Sequence, residues 1–101
     1  MIIITGWSKL SEGNLDEGIA LGREHSQRSR SEPGCLSHNC FVDTEEPNRI
    51  MFHETWKDGR AVAQHFALAD SREFVARIAQ LSVTRPEIRI YEAHPIDPAN
   101  L

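Results

Sequence analysis

The chain carries five histidines, and imidazole is the side chain that titrates nearest neutral pH, which makes His65, His38 and His53 the residues to weigh as proton acceptor or metal ligand. His65 stands out: Val62 and Phe66 flank it at helical spacing, and if they face the core the ring lies on the buried side of its helix, where it is the candidate catalytic base. The structural alternative is a histidine at the rim of the core, bonded to a backbone carbonyl or to Glu54. Glu54 itself stands among Ile50, Phe52 and Trp56, where burial raises a carboxyl pKa unless the group is paired. Trp56 and Phe66 offer apolar walls for a flat ligand, and a Trp closing a strand serves equally as core filler.

His38 and His53 fall on two adjacent segments, and with Asn39, Ser37 and Tyr91 they supply polar groups for a pocket. Whether the two histidines share a face depends on strand register, and a slip of one residue reverses the answer. Cys40 has the parity of His38, so a soft-metal site can be drawn there. Transition-metal sites need three or four converging ligands, however, and no metal is expected from this set. A glycine-rich phosphate loop, GxGxxG and paired CxxC are all absent from the sequence, which removes the usual signals for a nucleotide or an iron–sulfur cofactor.

These residues must be positioned by a small number of elements. Met1 to Trp7, with three isoleucines, predicts a buried strand. Asn14 followed by Glu17 reads as a capping box, with Asp16 and Glu17 suited to a helix N-terminus. That helix runs towards Arg28 and Arg30 and stops at Pro33 and Gly34. Its apolar stripe is thin, because Leu15 and Ile19 are followed by Gly18 and Gly22.

Cys35 to Val42 and Arg49 to Trp56, joined by the turn-rich Thr44 to Asn48, predict a hairpin in which neither strand has a fully polar face. Asp58 caps a helical segment holding Val62, Phe66 and Ala69. Ser71 is expected to cap its continuation, where Phe74, Ile78 and Leu81 form the strongest apolar stripe in the chain. After Pro86, Glu87 to Ala93 alternates Ile88 and Ile90 against Arg89 and Tyr91 as a last strand, and residues 94–101 read as an irregular tail.

Composition limits the function classes. A hydrophobic content of 40% and a charged content of 26% are those of a folded domain, and 101 residues suit one domain, 1–101. A formal charge of −4 has the wrong sign for phosphate neutralisation, so no nucleic-acid partner is expected. The longest apolar run is far short of a membrane span, no basic-flanked leader precedes it, and the expected location is the cytoplasm. Cys35 and Cys40, five residues apart, should point to opposite sheet faces as reduced thiols.

The order strand, helix, strand, strand, helix, strand is that of an α+β, ferredoxin-like βαββαβ sandwich: a four-stranded antiparallel sheet with helices on one face. Because both parities of the hairpin are partly apolar and no sequence remains for a second layer, the other face is expected to be covered by a second copy of the chain, giving a homodimer.

Glu32, Pro33, Gly34 and Cys35, then Glu54, Thr55, Trp56, Lys57 and Asp58, then His65 and Phe74, in that order, resemble the antibiotic biosynthesis monooxygenase domain family over roughly Ile3 to Ala93. The resemblance implies a dimeric α/β barrel and a histidine at position 65 of functional standing. It further implies a cofactor-independent monooxygenase acting on a small, electron-rich aromatic substrate of the quinol or anthrone type. His65 would then be the base, His38, Asn39, Glu54, Trp56, Phe66 and Tyr91 the substrate-binding groups, and Asn39 or Tyr91 the donor to the oxyanion. A non-catalytic, dimeric ligand-binding or accessory domain is the second reading. The haem-degrading relatives carry an asparagine on the first strand and a histidine late in the second helical segment. This chain has Thr5 and Gly6, and Ala76 and Arg77, at those places, so haem is not expected.

Overall fold

The computed structural model describes residues 1–101. Strand β1 (Ile2–Lys9) leads into helix α1 (Leu15–Ser29), the hairpin β2 (Cys35–Val42) and β3 (Arg49–Trp56), helices α2 (Gly59–Ala67) and α3 (Ala69–Leu81), and β4 (Glu87–Glu92). The tail holds a single 3₁₀ turn, Pro98–Asn100. The four strands are antiparallel throughout in the order β2-β3-β1-β4, the ferredoxin-like arrangement the element order predicts.

Side-chain alternation decides which sheet face is buried. Along β3 every even-numbered residue, Ile50, Phe52, Glu54 and Trp56, is buried, and every odd one is only partly so. Pairing carries that parity to Ile4 and Ser8 of β1 and to His38 and Cys40 of β2. This face receives the helices in two apolar clusters. One joins Leu10, Ile50 and Phe52 to Ile78 and Leu81, and the other joins Ile4 and Trp56 to Ala61 and Val62. Burying side chains of this size contributes about 1.5–3 kcal/mol each.

Helix α1 approaches the sheet closely because its glycines leave room. A Cβ on Gly18 would lie 2.3 Å from Leu10 Cδ1, and one on Gly22 would lie 2.7 Å from Cys40 Sγ. Asn14 does begin this helix, but the capping box does not form. Its backbone is nearly helical (φ −102°, ψ 0°) and its side chain makes no cap bond, donating instead to the carbonyl of Leu81 at 3.3 Å. Asp58 caps α2 as expected, accepting from the Ala61 N–H at 2.9 Å. Helix α3 starts two residues before Ser71, which is buried within it and caps nothing.

The two cysteines share a face, contrary to the count along the strand. A bulge between Cys35 and Ser37 inserts one residue, so Cys35 pairs with Trp56 and Cys40 with Phe52, both on the helix side. Both thiols are free. The opposite face carries no helix and presents Ile3, Trp7, Met51, Phe41 and Tyr91 among Thr5, His53 and Asn39. No helix is long and apolar enough to cross a membrane.

Candidate active site

The register of the hairpin sets the site. His38 lies opposite Glu54, whereas His53 lies opposite Asn39. Successive residues of a strand point to opposite faces, so His38 and His53 are on different faces and the set His38, His53 and Cys40 cannot converge on one ion. Asn39 and Tyr91 go with His53: Tyr91 pairs with Ile3 and Asn39 lies beside His53, on the face without helices. The sheet therefore separates them from His65, and neither is placed to donate to an oxyanion formed at that ring. Asn39 Oδ1 instead accepts from Arg30 at 3.0 Å on the surface.

On the helix side a polar cluster is built into the core. Trp56, fully buried, donates its indole N–H to Glu54 Oε1 at 2.9 Å. His38, with no exposed surface, places Nε2 3.3 Å from the same oxygen, close but not aligned for a hydrogen bond, so that nitrogen has no bonding partner. His38 Nδ1 is 2.8 Å from Ser26 Oγ. Burial works to raise the Glu54 carboxyl pKa, but His38, the Trp56 N–H and His65 outweigh it, and the group is held below its ordinary range.

His65 is fixed from the other side. Its Nδ1 is 2.7 Å from Glu32 Oε1, and its ring lies 4.6 Å from that of Trp56. A carboxylate only accepts, so Nδ1 carries a proton, and in the neutral ring Nε2 holds the lone pair, 3.9 Å from Glu54 Oε1. The Glu32-Pro33-Gly34 turn makes this contact possible. Gly34 has φ +81°, and a Cβ there would lie 2.5 Å from Ala61 Cβ, so only glycine lets the turn press against α2 and bring Glu32 to His65.

A third buried imidazole, His25 of α1, completes the cluster and was not singled out by the sequence. It stacks on Phe74 at 3.9 Å and lies edge-on to His38 at 4.9 Å. Its signal is the spacing of Gly18, Gly22, His25, Ser26 and Ser29, the buried positions of α1. They form one helical stripe made of small and polar residues, which a search for apolar periodicity passes over.

Burial drives the His25 pKa down to about 2, and His38, His65 and Arg28 push it the same way. Those three, together with Phe74 on α3 and Phe52 on β3, face the ring. A folded pKa below the ordinary 6.5 means that the unfolded chain binds the extra proton. Stability is therefore complete above pH 6.5 and falls at about 1.4 kcal/mol per unit below it. Lowered Glu54 acts in the same direction. In chelator-containing buffer we expect about 2 kcal/mol to be lost between pH 7 and pH 5, and the His25→Gln variant to lose clearly less. Urea midpoints at the two pH values check this, and equal losses in both proteins would remove His25 as the cause.

The cluster opens on a cavity of about 560 Å³ between the sheet, α3 and the start of β4. His25, Glu54, His65 and Ser71 form polar points on its wall, and Phe52, Phe66, Phe74 and Ile88 are among its apolar ones. Phe66 is 40% exposed and forms part of the mouth, whereas Trp56 and His38 stand behind the wall and support it. A few convergent polar groups in an apolar cavity of this size fit a small, flat organic molecule.

Known proteins resemble this chain in sequence and fold. The family model for antibiotic biosynthesis monooxygenase matches residues 1–77. An uncharacterized protein of Synechocystis, sll1783, is 35% identical over 91 residues, which are 90% of this chain and 62% of that protein, so the chain spans under two-thirds of its relative. A crystal structure of an antibiotic biosynthesis monooxygenase superposes with a TM-score of 0.85 at 26% identity, covering 94% of this chain and 100% of the other. A structure from Deinococcus radiodurans, described as a candidate antibiotic biosynthesis monooxygenase, gives a TM-score of 0.90 at 27% identity, with 96% of each chain covered. The fold and a family model spanning most of the sequence agree, and the chain belongs to the antibiotic biosynthesis monooxygenase family.

Proposed function

We propose that the protein is a cofactor-independent monooxygenase of an electron-rich aromatic substrate, a quinol or an anthrone, bound in the cavity with its acidic hydrogen facing His65. The observation that carries this is the Glu32–His65 pair: a buried imidazole whose proton is held on Nδ1 by a carboxylate and whose Nε2 lone pair is left for a proton from substrate. The monooxygenase names of the family and of similar structures support the reaction class.

The chemistry balances without an added reductant. His65 Nε2 takes the phenolic or methylene proton, and the resulting anion supplies electrons to dioxygen. One oxygen atom remains in the product as a quinone carbonyl or hydroxyl, and the other leaves as water with two hydrogens from the substrate. The protein's tasks are to remove the proton, hold the anion flat against Phe52 and Phe74, and limit water. The imidazolium so formed lies between two carboxylates, Glu32 at 2.7 Å from Nδ1 and Glu54 at 3.9 Å from Nε2. The test is oxygen uptake by chelator-treated protein over a panel of quinols and anthrones.

The reading includes a homodimer through the face without helices. Ile3, Trp7, Met51, Phe41 and Tyr91 make an apolar surface that water would otherwise cover. We expect light scattering at micromolar concentration to give twice the 11.4 kDa chain mass, and Trp7→Glu to give one chain mass with the helix content unchanged. A wild-type mass of one chain would rule the dimer out.

A further inference from the structure

One ring nitrogen from each of His25, His38 and His65 lies within 4.8 Å of those of the other two, and all three residues are buried. They come from three different elements, α1, β2 and α2, and Glu54 on β3 brings a carboxylate oxygen close to two of them, His38 and His65. The proton inventory of the cluster is unusual for a core. Nε2 of His38, without a bonding partner, and Nε2 of His65, bearing a lone pair, both face Glu54 Oε1, at 3.3 and 3.9 Å.

Nδ1 of each of these rings is already held, by Ser26 Oγ at 2.8 Å and Glu32 Oε1 at 2.7 Å. Hydrogen bonds of this kind fix the remote nitrogen of a metal-bound imidazole and raise its basicity. Two nitrogens and a carboxylate oxygen converge where a cation would serve all three, and the outer groups that orient such ligands are in place.

We propose that this cluster binds one divalent transition-metal ion of the zinc class, through Nε2 of His38 and His65, a ring nitrogen of His25 and the Glu54 carboxylate. Imidazole-rich donor sets select zinc, cobalt, nickel or copper over magnesium and calcium, which take oxygen ligands. Tetrahedral coordination with bonds of about 2.0–2.1 Å sets nitrogens about 3.4 Å apart, so the rings must close by roughly an ångström from their widest separation. His25 Nδ1 accepts from Arg28 at 3.0 Å, which leaves the proton on Nε2. To ligate through Nε2 the ring exchanges that proton to Nδ1, and Arg28 turns towards Glu24 and Asp70, 3.6 and 3.7 Å away. His25, His65 and Glu54 border the cavity, which gives the ion its entry path.

An ion on His65 Nε2 takes the lone pair that the proposed base needs, so metal occupancy and turnover exclude each other. Binding itself does not depend on the monooxygenase reading and is measured without substrate.

The experiment titrates chelator-stripped, full-length protein with cobalt(II) and follows visible absorption, then displaces cobalt with zinc. The expected result is one ion per chain with the intense bands of a low-symmetry nitrogen site. Glu32→Gln, which keeps every ligand, should bind about 10–100-fold more weakly. His25→Gln and His65→Gln should weaken binding further, and His53→Gln, on the other sheet face, should leave it unchanged. Circular dichroism on each variant confirms the fold before titration. No cobalt band at neutral pH, or equal affinity in folded His25→Gln and His65→Gln proteins, would overturn the site. Failure here leaves oxygen uptake untouched, so the two readings fall separately.

Discussion

His65→Ala is expected to lower turnover by about 10²–10⁴-fold while the protein stays folded, because positioned general bases contribute on that scale. The loss should fall on kcat, with little change in KM, since the ring acts on a proton and the apolar wall of Phe52, Phe66 and Phe74 does most of the holding. Alanine also strips Glu32 of its partner, and Glu32 Oε2 is already a buried oxygen without one. His65→Gln is therefore the companion variant: it keeps a donor near Glu32 but cannot accept and carry the proton. Both should fail alike in single-turnover oxygen uptake. Wild-type rates in both would remove His65 from the chemistry, and a rate lost only in the alanine variant would assign it a packing role.

Trp56→Ala is expected to destabilise the protein by about 3–5 kcal/mol, the range for deleting a large buried aromatic side chain. The indole has no exposed surface, packs in the cluster of Ile4, Ala61 and Val62, and supplies a donor to Glu54. Domains of this size are stable by about 5–15 kcal/mol, so this single change removes at least about a fifth of the total. Trp56→Phe separates the two contributions: it keeps most of the volume and loses only the hydrogen bond, which costs about 1–3 kcal/mol where a buried acceptor is left short. Urea unfolding at one fixed protein concentration, needed because association shifts apparent stability, measures both. An alanine variant within 1 kcal/mol of wild type would mean that the Trp56 site collapses around the loss.

Much of this fold was legible because its signals are local. The alternation of Ile50, Phe52, Glu54 and Trp56 places β3 and its buried face correctly, and Asp58 marks the start of α2. His65 was legible for the same reason, since Val62 three residues before it fixes the helix face. What was not legible is decided between elements. The hairpin register depends on the turn, where Asp43 Oδ1 accepts from the N–H groups of Glu45 and Glu46 and Asn48 adopts φ 61°, and on the bulge after Cys35.

That register put Asn39, and the pairing of β4 with β1 put Tyr91, on the face away from His65, whereas parity within each strand says nothing about which faces align across strands. Glu32 lay in a residue pattern already noted, yet its contact with His65 spans 33 residues and has no sequence signature. His25 escaped because its helix buries glycine, serine and histidine rather than leucine.

The most direct measurement is oxygen consumption by the chelator-treated protein with quinols and anthrones, using ¹⁸O-labelled dioxygen to follow the atom transferred. We expect uptake with at least one member of the panel, one labelled oxygen per product molecule, no requirement for added flavin or metal, and loss of the signal in His65→Gln. Absence of uptake across the panel while the same compounds bind the cavity, or uptake that appears only when metal is restored, would contradict it.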